Sequence, residues 1–200
     1  MIPVRLLMVL LSAAVLMFAA AGCGGGDGGD GGNGDSAAAT AQDVWAASVC
    51  GALGTWVKSL QAGSQDLSAA LGNTKDLKTV KARFVTFLEN AEKTSGEMVE
   101  KVKDAGPPDV SQGEAIQDDL IAALTKVQQS FSNAVDKANQ LSTSSLQSFS
   151  NGVGKLSQSV QNNLSATGTE FNALSERYQA PELDDATDGE PACQQFSSGG

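Results

Sequence analysis

The sequence contains no histidine, and only 5% of its residues are aromatic. Without an imidazole, the chain cannot form a Ser–His–Asp triad or a zinc site with histidine ligands. No Cys-x-x-Cys motif occurs either, which argues against a thiol enzyme. Because aromatic and β-branched residues are scarce, the composition favours helices over sheets. We therefore expect an all-α protein that is not an enzyme and has no metal or other cofactor.

Basic residues are also few, with 13 Lys and Arg against 23 Asp and Glu. An acidic surface repels phosphate backbones, so we expect no nucleic acid among the partners. The same charge opposes close approach to anionic lipids, so attachment to a membrane would need another source. Four basic residues do cluster, at Lys75, Lys78, Lys81 and Arg83. We interpret them as a solvated helix face; the alternative is a docking site for an acidic partner.

Long hydrophobic runs are missing except at the start of the chain, where residues 6–20 follow Arg5 and are apolar apart from Ser12. A run of this length is short for a transmembrane helix, and small residues follow it directly, as in a cleaved export signal. It ends in Ala20-Ala21-Gly22-Cys23.

This segment resembles the lipobox of bacterial lipoproteins, in which small residues precede a cysteine that is acylated and becomes the mature N-terminus. The position three before that cysteine is usually leucine, and here it is Ala20. The resemblance implies that residues 1–22 are a signal peptide and that Cys23 carries palmitate-type chains. The protein would then be lipid-anchored at the extracytoplasmic face of the cell membrane, because several acyl chains anchor stably. The alternative is an ordinary secretory signal with Cys23 unmodified.

Residues 23–40 combine Cys23 with a Gly-rich linker that has no apolar side chain larger than alanine. Such a composition cannot bury enough surface to offset its chain entropy, so we predict a flexible tether. Its roughly 17 residues after Cys23 would span about 20–25 Å on average.

From residue 41 onward, apolar residues recur every three or four positions, which predicts amphipathic helices. Gly, Pro and Ser-rich breaks divide the pattern into helices over 41–71, 74–105, 112–142 and 145–179. Near-equal helices with short turns predict an antiparallel up-down four-helix bundle over 41–180. If the break at 142–145 were not real, the fold would be an elongated three-helix arrangement.

Several residues have expected roles in this bundle. Asn73 or Thr74 should cap the second helix, and Ser111-Gln112-Gly113-Glu114 reads as a capping box for the third. The fourth helix contains three interior glycines, so it should be the one that bends or opens. Trp45 and Trp56 face the same way and should lie in the core; the alternative is a stacking platform for a sugar or lipid.

Acylation of Cys23 would leave two cysteines, Cys50 and Cys193, in an exported protein. An oxidising compartment favours a disulfide between them, and an antiparallel bundle brings their segments to one end. Two free thiols are the alternative. We interpret residues 181–200 as an acidic C-terminal tail that carries Cys193. Its acidic cluster faintly resembles a calcium loop, but a solvated tail is the simpler interpretation.

The acidic tail and its late cysteine also resemble small secreted or lipidated proteins of high-GC Gram-positive bacteria, a loosely defined group. That resemblance implies a location in the cell envelope. We therefore expect a membrane-anchored extracytoplasmic lipoprotein that serves as a non-enzymatic binding or structural module. Its partners would be the membrane, through Cys23, and an envelope protein or lipid. The alternative is a carrier of a lipid or small apolar ligand within the bundle.

Overall fold

A computed structural model describes residues 39–72 and 74–197, with side chains up to Gln194. The expected signal peptide, Cys23 and most of the expected linker lie outside the described residues. Every regular element of the described chain is an α-helix, and the predicted all-α bundle is confirmed. The helices are α1 (Ala41–Gly72), α2 (Leu77–Asp104), α3 (Gly113–Asn139), α4 (Leu146–Tyr178), α5 (Pro181–Gly189) and α6 (Pro191–Ser197).

The four long helices run antiparallel, and each packs against the next along the chain. Contacts between α1 and α2 show this register, because Trp45 bonds to Gly106 whereas Trp56 bonds to Ser95. The chain breaks between α3 and α4, as predicted. Ser145 caps α4 by accepting a hydrogen bond from the Ser148 amide at 3.2 Å. The elongated three-helix alternative is therefore wrong.

The start of α2 differs from the expectation. The helix begins at Leu77, and its cap is Asp76 rather than Asn73 or Thr74. The Oδ2 atom of Asp76 accepts from the Thr79 amide at 3.0 Å and from the Thr79 hydroxyl at 2.6 Å. These bonds lower the pKa of Asp76. A carboxylate that accepts both donors outcompetes a neutral cap one turn earlier.

The capping box predicted for α3 does not form. Gln112 adopts the left-handed conformation (φ 63°) without a side-chain cap, and α3 begins at Gly113. The chain instead turns back on itself, and the Val110 amide donates to the Pro108 carbonyl at 2.9 Å. A Cβ atom at position 113 would lie 2.0 Å from that carbonyl oxygen. Close backbone approach, which requires glycine here, therefore replaces side-chain capping.

Two apolar clusters form the core, one in each half of the bundle. The first joins the start of α1, the end of α2 and the start of α3 to residues of α5 and α6. The second joins the end of α1 to α2, α3 and Leu156 of α4. Helix α4 is continuous, and the described residues that it buries fully are Phe149, Leu156 and Thr167. Its Ser, Asn and Gln content explains why it contributes less to the core than α2 and α3.

The acidic C-terminal segment does not behave as a solvated tail throughout. It forms α5 and α6, which pack on α1. Leu183, Ala186 and Cys193 are buried, with exposures of 8%, 6% and 5%. The acidic side chains nevertheless face solvent, among them Glu182, Asp184, Asp185 and Asp188. The sequence pattern did not reveal the buried face of this segment because the segment contains few apolar residues.

Candidate functional site

The predicted disulfide is present and joins α1 to α6. Cys50 and Cys193 are bonded with their Cα atoms 5.0 Å apart, across a sequence separation of 143 residues. Both cysteines belong to the first core cluster. The alternative of two free thiols is therefore wrong for this structure. The bond fastens the C-terminal segment to the third turn of α1, where the chain enters the bundle.

Helices α5 and α6 form a strap across the start of α1. Pro181 opens α5, a position where its missing amide proton costs nothing. The Glu190 carboxylate then accepts from the Ala192 amide at 3.0 Å, at the start of α6. Leu183 and Ala186 lie three residues apart and point toward α1, in the same cluster as Trp45. The strap therefore covers an apolar surface that α2 leaves uncovered.

Two further bonds secure the start of α1. The Trp45 indole Nε1 donates to the Gly106 carbonyl at 2.9 Å, and the Gln42 amide donates to the Asp109 carbonyl at 2.6 Å. Both acceptors lie in the turn between α2 and α3. Together with the strap, they place the α2–α3 turn, α5 and α6 against the first turns of α1.

Both tryptophans are structural, as the core interpretation predicts. Trp45 is buried, with 8% of its surface exposed. Trp56 is half-buried between the two core clusters, and its Nε1 donates to the Ser95 hydroxyl at 2.9 Å. Ser95 is fully buried, and its hydroxyl donates a hydrogen bond to the Ala91 carbonyl at 2.7 Å. Both indole rings therefore pack in or against the core and do not form a stacking platform.

At the same end of the bundle, the contact between the end of α4 and the start of α3 is polar. The Tyr178 hydroxyl donates to Asp119 Oδ2 at 2.7 Å, and Arg177 donates to the same oxygen at 2.5 Å. The hydrogen bond to Asp119 is the main reason that the pKa of Tyr178 is raised. The cluster fixes the last turn of α4 beside the first turns of α3.

Charge is separated between the two halves of the bundle. We define the acidic half as residues 39–56, 92–128 and 167–194, which the antiparallel register places together with the strap. The basic half is residues 57–72, 74–91 and 129–166. The acidic half contains 16 Asp and Glu against 5 Lys and Arg, whereas the basic half contains 4 against 7. The chain enters the bundle at the acidic half.

Ion pairing follows the same division. The four ion pairs found among the described residues all lie in the acidic half. They engage Lys93, Lys103, Lys126 and Arg177, so four of the five cations there are neutralised by a carboxylate. In the basic half, no ion pair of the described chain involves Lys75, Lys78, Arg83 or Lys155. The cluster noted in the sequence therefore belongs to a half of the molecule that carries unpaired positive charge.

Lys81 is the exception within that cluster because its ammonium group is occupied. Its Nζ donates to the Asn139 carbonyl at 2.7 Å and to the Leu141 carbonyl at 3.0 Å. These carbonyls lie at and just beyond the C-terminal end of α3, where a positive charge interacts favourably with the helix dipole. Lys81 thus ties α2 to the end of α3 and is structural.

No protein-family model, curated protein or solved structure matches this chain. Among the helices that the structure describes, none combines the length and hydropathy needed to cross a bilayer. Within the same residues, no group of three or more Cys, Asp or Glu is arranged to hold a metal ion. Cys23 lies outside this part of the chain, so its lipidation stays a prediction from the sequence.

Proposed function

We propose that this protein is an extracytoplasmic lipoprotein, anchored to the membrane through Cys23, whose helical bundle serves as a binding or structural module rather than an enzyme. The observation that carries the proposal is the lipobox-like segment that ends at Cys23, followed by a Gly-rich linker and a disulfide-fastened bundle. A disulfide between core residues fits a protein that folds in an oxidising compartment.

The position of the disulfide and of the hydrogen bonds at the start of α1 also supports an anchored bundle. A tether that ends near residue 40 would transmit any pull directly to the first turn of α1. That turn is where Trp45 and Gln42 bond to the α2–α3 turn, and Cys50 follows within about 14 Å along the helix axis. The end of the bundle nearest the proposed anchor is thus the end with the covalent bond.

Substitution of Cys23 by serine tests the anchor. The wild-type protein, expressed in its own host, should enter the detergent-rich phase on phase separation because its acyl chains partition there. The Cys23→Ser variant should move to the aqueous phase. Mass spectrometry of the mature N-terminal peptide should show acyl chains on Cys23 in the wild type.

The matched control is a Cys50→Ser/Cys193→Ser double variant, which loses two cysteines but retains Cys23. It should stay in the detergent-rich phase even though its strap is released. If the Cys23→Ser variant also stays in the detergent-rich phase, or if the double variant leaves it, the proposed anchor is wrong.

A further inference from the structure

Several cations without an ion pair in the described chain lie toward the end of the bundle that is remote from the strap, on or next to α2, α3 and α4. Lys75 is exposed just before α2, and Lys78 and Arg83 are exposed on its first two turns. At 100° per residue, Lys78 and Arg83 lie about 140° apart around the helix axis. They therefore face several directions and do not form a single flat patch.

The cations continue onto the other two helices through observed contacts. Lys81 holds the start of α2 against the end of α3. The Nζ of Lys137, on α3, donates to the Ser159 hydroxyl of α4 at 3.3 Å. Lys155 lies one turn before Ser159, so its side chain is on the same side of α4. The basic belt, defined as Lys75, Lys78, Arg83, Lys137 and Lys155, thus crosses α2, α3 and α4.

The acidic half is too far away to cancel this field. On α2 the acidic half begins at residue 92, nine residues or about 14 Å beyond Arg83, whereas charges are screened over about 8 Å at physiological ionic strength. The basic half itself contains four carboxylates against seven cations, namely Asp66, Asp76, Glu89 and Asp136, and Asp76 is engaged as the cap of α2. A negatively charged group near the belt therefore meets a net positive surface, although the whole chain is acidic.

We propose that the basic belt binds a flexible anionic polymer with repeated phosphate groups. A flexible chain can follow cations that point in several directions, whereas a planar membrane can meet one side of the bundle at a time. The proposal rests on the proposed function in one respect: an anchor at the acidic half directs the belt away from the membrane. It deepens that function by naming the class of partner.

Calorimetric titration with inorganic polyphosphate tests the belt. The full-length protein, solubilised in an uncharged detergent, should bind with an affinity that falls as salt rises, because binding releases counterions. A K75Q/K78Q/R83Q variant should bind at least roughly tenfold more weakly at low salt, since each cation near an anionic surface contributes about 1 kcal/mol.

The matched control removes three cations from the acidic half of the same helix. A K93Q/K101Q/K103Q variant has the same change in net charge, and all three side chains are exposed. Its affinity for polyphosphate should change less than about threefold, because screening separates these residues from the belt. Circular dichroism should show both variants folded.

Three outcomes would overturn the belt proposal. The first is no binding by the wild-type protein, and the second is an equal loss in both variants, which would make net charge responsible. The third is equally tight, belt-dependent binding to phosphatidylglycerol vesicles, which would make the occupant a lipid surface. The titration in detergent does not depend on the acyl chains, so it tests the belt separately from the anchor. If mass spectrometry finds no acyl chains on a wild-type protein that binds polyphosphate, the proposed anchor is wrong and the belt proposal stands.

Discussion

Removal of the disulfide should destabilise the protein strongly. The bond between Cys50 and Cys193 spans 143 residues, and in the chain-entropy model closing a loop of that length stabilises the folded state by at most about 5 kcal/mol. This is a large share of the 5–15 kcal/mol that is typical of a folded domain. A Cys50→Ser/Cys193→Ser variant should therefore unfold at a clearly lower urea concentration than the wild type.

The loss should begin in the strap. Helices α5 and α6 have 9 and 7 residues, shorter than the roughly 12–15 residues below which isolated helices are marginal in water. Without the covalent bond, they are held to α1 chiefly by Leu183 and Ala186, and burial of a leucine contributes only about 1.5–3 kcal/mol. We expect the strap to detach while the four long helices persist.

Two measurements separate these effects. Urea unfolding followed by far-ultraviolet circular dichroism gives the global free energy, and hydrogen exchange of residues 181–197 reports the strap. The double variant should show a lower midpoint and fast exchange in those residues. The Cys23→Ser variant, which retains the disulfide, is the control and should match the wild type in both. An unchanged midpoint together with slow exchange of the strap in the double variant would refute the reasoning.

Two further predictions concern single contacts. Tyr178 is the single tyrosine of the sequence, so the tyrosinate absorbance of the folded protein should report the pKa of this residue alone. That pKa should lie above the ordinary value for tyrosine, and the Asp119→Asn substitution should lower it again. Because that pKa is raised on folding, the contact stabilises the protein below about pH 10 and the contribution is lost as pH rises through the folded-state pKa. A normal titration in the wild type would contradict this. Ser95→Ala should cost about 1–3 kcal/mol because the indole proton of Trp56 loses its acceptor. A double-mutant cycle with Trp56→Phe should then show coupling, and strictly additive losses in urea unfolding would argue against the bond.

The parts of the fold that depend on periodicity could be predicted from the sequence. Apolar spacing of three and four located all four long helices, because the burial of one face per helix imposes that period. The disulfide was also predictable, since a bundle with antiparallel neighbours brings the start of α1 and the end of α4 together. The ends of the helices were predicted less accurately than their positions. Asp76 and Gly113 determine two of them through local contacts that compete with other caps nearby in sequence.

The strap and the basic belt could not be predicted in the same way. Leu183 and Ala186 are too few to give a helical pattern, and they are buried because the C-terminal segment packs on α1, to which the disulfide joins it. The belt is assembled from segments far apart in the chain. Lys78 on α2, Lys137 on α3 and Lys155 on α4 lie in the same half of the bundle only because these helices alternate in direction.

The sequence by itself determined where helices form, that a lipobox-like segment precedes them and which cysteines can pair. Each of these depends on residue type and spacing along the chain. Tertiary structure alone decided which half of the bundle carries each charge and which carboxylates of other helices Lys126 and Arg177 meet. Those properties depend on distances across the bundle, and antiparallel packing sets such distances independently of separation in sequence.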